Sequence, residues 1–216
     1  MTITATDFFD VEIVMARRAH TRNEQLRYAV TQEAARIMAE QGIQDFLLAK
    51  RKAAERIGIT DAAVLPKNSE IENALIARQR LFHSHHHDDA ILQLRRSALR
   101  LMRLLQEFQP RLVGSVLTGS ASAHSEINVH VFVDHAERIS VTLDERGITH
   151  QHAEKKLRYE SDRYVSYPSF KFIAGDHAIE VVALPVDGIR QSPLSPVDGK
   201  PMQRATIADV ESLVQA

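Results

Sequence analysis

Apolar positions recur every three or four residues through the first half of the chain and then give way to alternation. Leu26, Val30, Ala34, Ile37 and Met38 fall on one stripe, which predicts a helix capped by Asn23 and stopped at Gly42. A second helix is predicted from about Asp45 to Arg56, ahead of Gly58. Pro66-Lys67-Asn68 reads as a turn, and Asn68 or Ser69 opens a third helix with Ile71, Leu75, Leu81 and Phe82 on its buried face. The longest pattern runs from about Asp88 to Phe108, where Ile91, Leu94, Ala98, Leu101, Leu105 and Phe108 make a core-facing stripe and Pro110 ends the helix.

Beyond Pro110 the pattern has the period of a strand. Leu112 to Leu117 is a short apolar strand. From Ile127 to Val133, Ile127, Val129, Val131 and Val133 take one face, and Asn128, His130 and Phe132 the other. Asp134 to Arg146 reads as a helix capped by Asp134 and ended at Gly147. Tyr164–Ala174 and Ala178–Leu184, joined by Gly175-Asp176, predict a β-hairpin. A Pro-rich loop from Pro185 to Pro201 follows, and Thr206 with Asp209 opens a last short helix. The expected fold is therefore α+β. A helical subdomain (1–110) precedes a small mixed-sheet subdomain (111–216).

Composition narrows the function classes. The 216 residues include 27 Lys or Arg against 28 Asp or Glu, a net charge of −1, with a small basic excess in the helical half and an acidic one in the rest. No global basic field draws the chain to nucleic acid or to an anionic membrane. Zero cysteines exclude disulfides, Cys-based zinc sites and thiol catalysis. No apolar run is long enough to span a bilayer, and the first residues lack a secretory-signal pattern, so a cytoplasmic protein with no membrane partner is expected.

The densest candidate chemistry lies between the two apolar strands, in Gly119-Ser120-Ala-Ser-Ala-His-Ser125-Glu126-Ile-Asn128. A Gly-Ser turn after a strand exposes backbone N–H groups and a hydroxyl, a combination that holds phosphate. Glu126 and Asn128 stand at i and i+2, so both point to one face of the strand. Glu180 interrupts the otherwise apolar Ala-Ile-Glu-Val-Val-Ala-Leu, and a carboxylate there needs a partner, a metal or the sheet rim. The plainer alternative is an ordinary turn and solvent-facing carboxylates.

This arrangement resembles the nucleotidyltransferase superfamily with the DNA polymerase β-like palm, over about residues 112–185. The resemblance implies that Gly119 and Ser120 bind the triphosphate of a nucleoside triphosphate. It also implies that Glu126, the residue at 128 and Glu180 hold Mg²⁺ for nucleotidyl transfer to an acceptor that the sequence does not identify. Two departures stand out. Glu126 replaces the usual Asp, and Asn128 replaces the second acid, removing a negative charge from a two-ion site. His130 on the same strand face is a candidate substitute ligand, although imidazole suits Mg²⁺ poorly. The implied activity is transferase chemistry. Its alternative is a catalytically degraded fold that binds a partner or nucleic acid.

Four further features carry candidate chemistry. In the loop from Gln191 to Ala205, Arg190, Lys200 and Arg204 are candidate phosphate contacts; otherwise the segment is a strap along the sheet. Arg95, Arg96, Arg100 and Arg103 form either a nucleic-acid track or a solvated helix face. His83, His85, His86, His87, Asp88 and Asp89 hold ligand-type side chains, and His85 with Asp89 is the pair spaced to share a transition metal; an exposed interhelical loop is the alternative. His150 and His152 alternate as in an exposed strand.

Overall fold

A computed structural model describes the backbone of residues 5–82, 84–122, 125–160 and 162–215, and side chains within 21–78, 88–122, 125–160 and 162–215. It is an α+β protein that divides into two compact units, Met1–Arg78 and Gln79–Ala216. The division falls within the third helix and leaves the fourth, which supplies the floor of the sheet, with the strands.

In the first unit, α1 spans Ala5–Gln41, so Asn23 is interior to a helix that began long before it and does not cap it. Helix α2 (Phe46–Ile57) has the expected ends. The Asp45 carboxylate accepts from the N–H groups of Leu47 and Leu48, and the Gly58 N–H bonds to the carbonyls of Ala54 and Glu55. At the start of helix α3 (Asn68–Phe82), the Glu70 carboxylate reaches back to accept from the Lys67 N–H at 2.6 Å. The core is made of small side chains. Ala34, Ala49 and Ala53 let the helices approach closely around Val30, Ile37, Ile71 and Leu75. The side chains of Leu81 and Phe82 lie outside the described residues.

The second unit is built on α4 (Ser84–Leu104), whose stripe from Ile91 to Leu105 is fully buried, as its spacing predicts; a 3-10 turn carries Phe108 into the same core. Five strands follow: β1 (Arg111–Val113), β2 (Ile127–Phe132), β3 (Gln151–Arg158), β4 (Tyr164–Ala174) and β5 (His177–Leu184), in the spatial order β1-β2-β5-β4-β3. Only the β2–β5 pair is parallel.

The expected strand Leu112–Leu117 is cut short. Gly114 (φ +76°) takes a left-handed backbone that turns the chain out of β1 and into the short helix α5 (Ser115–Thr118). Helix α6 (Glu137–Glu145) begins after Ala136, which makes no side-chain cap, so Asp134 is not its cap. Helix α7 (Ile207–Gln215) opens on Thr206 and Asp209, whose side chain and backbone bonds are reciprocal at 2.8 and 3.3 Å.

The two faces of the sheet differ. Ile127, Val129 and Val131 of β2, Ile179 and Val181 of β5, and Phe170 and Phe172 of β4 pack under α4, α6 and α7. The opposite face has a small apolar cluster at one end, with Phe132, Leu157, Tyr159, Val182 and Leu184, and charged residues at the other. The segment after β5 crosses this face as a strap. Its Leu194 N–H meets the Arg158 carbonyl at the end of β3, and Ala205 exchanges two 2.9 Å backbone hydrogen bonds with Leu112 of β1.

Truncating the α4 stripe tests the sheet floor. Leu94→Ala at a fully buried position is expected to destabilise the protein by about 2–5 kcal/mol, read by urea denaturation, through lost burial and the residual cavity.

Candidate functional site

The charged end of the open sheet face is assembled by register. Asn128 pairs with Glu180 across the parallel β2–β5 ladder, and Glu180 with Lys171 across the antiparallel β5–β4 ladder. Residues paired this way project to the same side. Glu126 lies two positions before Asn128 and shares that side, as expected. The three residues singled out by the sequence are therefore on one face.

What they meet there is a pair of lysines. The Glu180 carboxylate is 1% exposed. Its Oε2 accepts from Lys155 Nζ at 2.5 Å, and its Oε1 from Ser169 Oγ at 3.1 Å. Lys171 Nζ stands between the two acids, 3.3 Å from Glu126 Oε1 and 3.6 Å from Glu180 Oε1. Burial alone lowers the Lys171 ammonium, but the Glu180 and Glu126 carboxylates outweigh it and raise its pKa. Lys155 and Lys171 escape the sequence reading because only the strand pairing brings them to Glu180. The available signal is parity: Lys171 has the alternation of Ser169 in the predicted hairpin.

In this structure the donor set is engaged within the protein. Both carboxylates are already ion-paired, and Asn128 turns its amide nitrogen to the Glu126 carbonyl at 3.0 Å. Among the described residues no three acidic or histidine side chains converge as metal ligands.

Gly119 (φ +82°) ends α5 in a left-handed conformation, and the Ala121 N–H returns to the Ser115 carbonyl at 3.2 Å. Ser115 follows Gly114, where an added Cβ would stand 3.9 Å from Asn128 Nδ2. Ser120 is buried, with its Oγ 3.0 Å from that of Thr118. Behind the turn, the Arg95 guanidinium donates to the carbonyls of Val116 and Leu117 at 3.2 Å each, and its Nη2 is 3.7 Å from the Cβ position of Gly119.

Toward the apolar end, His130 is 2% exposed and its Nδ1 has no hydrogen-bond partner. Burial, with further help from Arg204 and Lys155, pushes its pKa down to about 3, so the ring is neutral. Arg204 is itself drawn in. It donates to the Gly188 carbonyl at 2.9 Å and lies 5.2 Å from the Phe132 ring centre, while its Nε and Nη2 are buried without a partner. Arg190 and Lys200 are exposed on the strap and do not join the carboxylates.

The four helix arginines separate. Arg95 turns in to α5, Arg103 pairs with Glu211 at 2.7 Å, and Arg96 and Arg100 face solvent. The side chains of residues 83–87, and with them the His85–Asp89 pairing, lie outside the described residues. No helix among the described residues is long and apolar enough to cross a membrane.

The buried imidazole makes stability pH-dependent in a definite direction. The folded ring stays neutral down to about 3, whereas the unfolded ring takes up a proton near 6.5; acidification therefore favours the unfolded chain. Between pH 7 and pH 5 this one group is expected to remove about 2 kcal/mol of stability. His130→Gln should flatten that part of the pH dependence in denaturation curves; an unchanged slope would contradict a neutral buried ring.

Compared with family models, with curated proteins and with solved structures, the chain has no match.

Proposed function

We propose that this chain is a nucleotidyltransferase-like binding module whose metal site has been replaced by ion pairs. Its ligand is a phosphate-bearing molecule, in the first instance a nucleoside triphosphate, taken against the Gly119–Ser120 turn. The observation that carries the reading is Lys171, whose ammonium lies between Glu126 and Glu180 where a cation bridging the two acids would stand.

The electrostatics favour an anion. Two carboxylates on this face are matched by Lys155 and Lys171, and the Arg204 guanidinium adds a positive charge toward its apolar end. Lysine ammonium groups hold phosphate as point charges without a divalent ion.

A second reading, transfer of a nucleotidyl group, is favoured by the convergence of Glu126 and Glu180 on a single cation. The same experiment separates the two. Each of the four ribonucleoside triphosphates is added with and without Mg²⁺, and melting temperature and pyrophosphate release are followed. The binding module predicts a rise of about 3–6 °C at a ligand concentration roughly tenfold above Kd. That rise should be indifferent to Mg²⁺, lost in Lys171→Gln and accompanied by no pyrophosphate. A shift that requires Mg²⁺, with pyrophosphate release abolished in Glu126→Ala and Glu180→Ala, identifies a transferase instead. No shift with any triphosphate under either condition overturns both.

A further inference from the structure

Helix α6 carries a serine whose hydroxyl is spent unusually. Three other helix hydroxyls bond back to the carbonyl four residues earlier: Thr31 to Arg27, Thr142 to Arg138 and Ser212 to Ala208. Ser140 Oγ instead meets His150 Nε2 at 2.8 Å. The chain leaves α6, turns at Gly147 and brings His150 back alongside the helix. There the ring packs against His152 and Phe170, with centroids 5.3 and 5.6 Å away, and its side chain is 5% exposed.

The second ring nitrogen settles the tautomer. His150 Nδ1 is 3.1 Å from the Ile148 carbonyl oxygen, which can only accept, so Nδ1 carries the proton. Nε2 then holds a lone pair, and Ser140 is the donor. Asp144, one helical turn after Ser140, places Oδ1 3.6 Å from the same Nδ1. A nucleophile bonded to a base, and a base oriented from behind by a carbonyl and a carboxylate, is the arrangement that activates a serine. These groups line an open surface depression of about 440 Å³ between α6 and the start of β3, with Thr149 and His152 on its wall. His152 pairs with Phe170 on the helix-covered side of the sheet, so this depression is on the opposite side from Glu180.

We infer that Ser140 and His150 form a second, hydrolytic site that takes small activated esters, with Asp144 as a positioning residue. Ser140 Oγ bonds to the ester carbonyl carbon while its proton passes to His150 Nε2. The carbonyl electron pair moves to oxygen and returns as the bond to the leaving alcohol breaks; the alcohol takes the proton from Nε2. Water then repeats the sequence on the acyl-serine, His150 receiving its proton, and a carboxylic acid is released. The pair supplies a nucleophile and a base, which suits esters with good leaving groups. The inference does not depend on triphosphate binding, and either can fail alone.

The full chain is incubated with p-nitrophenyl acetate, phenolate release is followed by absorbance, and acetylated peptides are mapped by mass spectrometry. A fluorophosphonate probe is used in parallel. The expected result is an adduct at Ser140 that Ser140→Ala removes. In His150→Gln the release rate should fall by about 100-fold or more. In Asp144→Asn kcat should fall while KM is unchanged. Melting curves confirm that each variant is folded. A folded wild-type chain without an adduct at Ser140, or Ser140→Ala releasing phenolate at the wild-type rate, overturns the inference. A folded His150→Gln at full rate does so too. Should His150→Gln not fold, the adduct map of the wild type and the Ser140→Ala rate decide the question.

Discussion

A carboxylate flanked by strands on both sides has to be neutralised where it stands, and in this protein that constraint falls on Glu180. Water cannot reach it, so removing its partners would leave a buried charge at a cost of several kcal/mol. Lys155, Lys171 and Ser169 come from the two strands on one side of it, which ties β3 and β4 to β5 in a single register. A slip of one residue would send the lysines to the helix-covered face and leave the Glu180 carboxylate buried without its partners. The ion-paired group is thus a device for fixing register as well as the candidate binding surface. The same lysines that secure the fold are the ones on which the proposed anion binding rests.

The strap extends this logic along the sheet. After β5 the chain carries no long element of its own, yet it is fastened at both ends, by Leu194 to β3 and by Ala205 to β1. Arg204 holds it in between, with its guanidinium over Phe132 and one nitrogen on the Gly188 carbonyl. The arginine that the sequence offered as a phosphate contact is thereby drawn partly under the strap, where its charge acts on His130 through space. Arg190 and Lys200 remain at the surface because the short 3-10 turn and the Asp198–Lys200 turn point them outward.

Much of this was legible in the residues. The α4 stripe, the β4–β5 hairpin, the Thr206–Asp209 cap and the shared side of Glu126 and Asn128 all follow from local period and chemistry, and all are present. What was not legible depends on pairing or on chain return. Strand β3, with the sequence Gln-His-Ala-Glu-Lys-Lys-Leu-Arg, has too few apolar residues to announce itself, since an edge strand buries little. Lys155 and Lys171 acquire meaning only when their strands are laid beside Glu180. The hydrogen bond of Ser140 to His150 requires the reversal at Gly147, which no helical or strand period encodes. The shortened β1 reflects one left-handed glycine overriding an apolar run. Asn23 shows the opposite failure, a good capping residue overruled by a helix already under way.

The two margins of the sheet are finished in different ways. On the β1 side, the backbone groups of Leu112 that would face outward are occupied by Ala205. On the β3 side the margin bears Glu154, Lys155, Lys156 and Arg158, so a second chain attempting to extend the sheet would have to bring like charges together. Edge-to-edge polymerisation is opposed at one border by occupancy and at the other by repulsion. The chain can carry long, strongly β-forming segments such as Tyr164–Ala174 and His177–Leu184 because neither is left at a border.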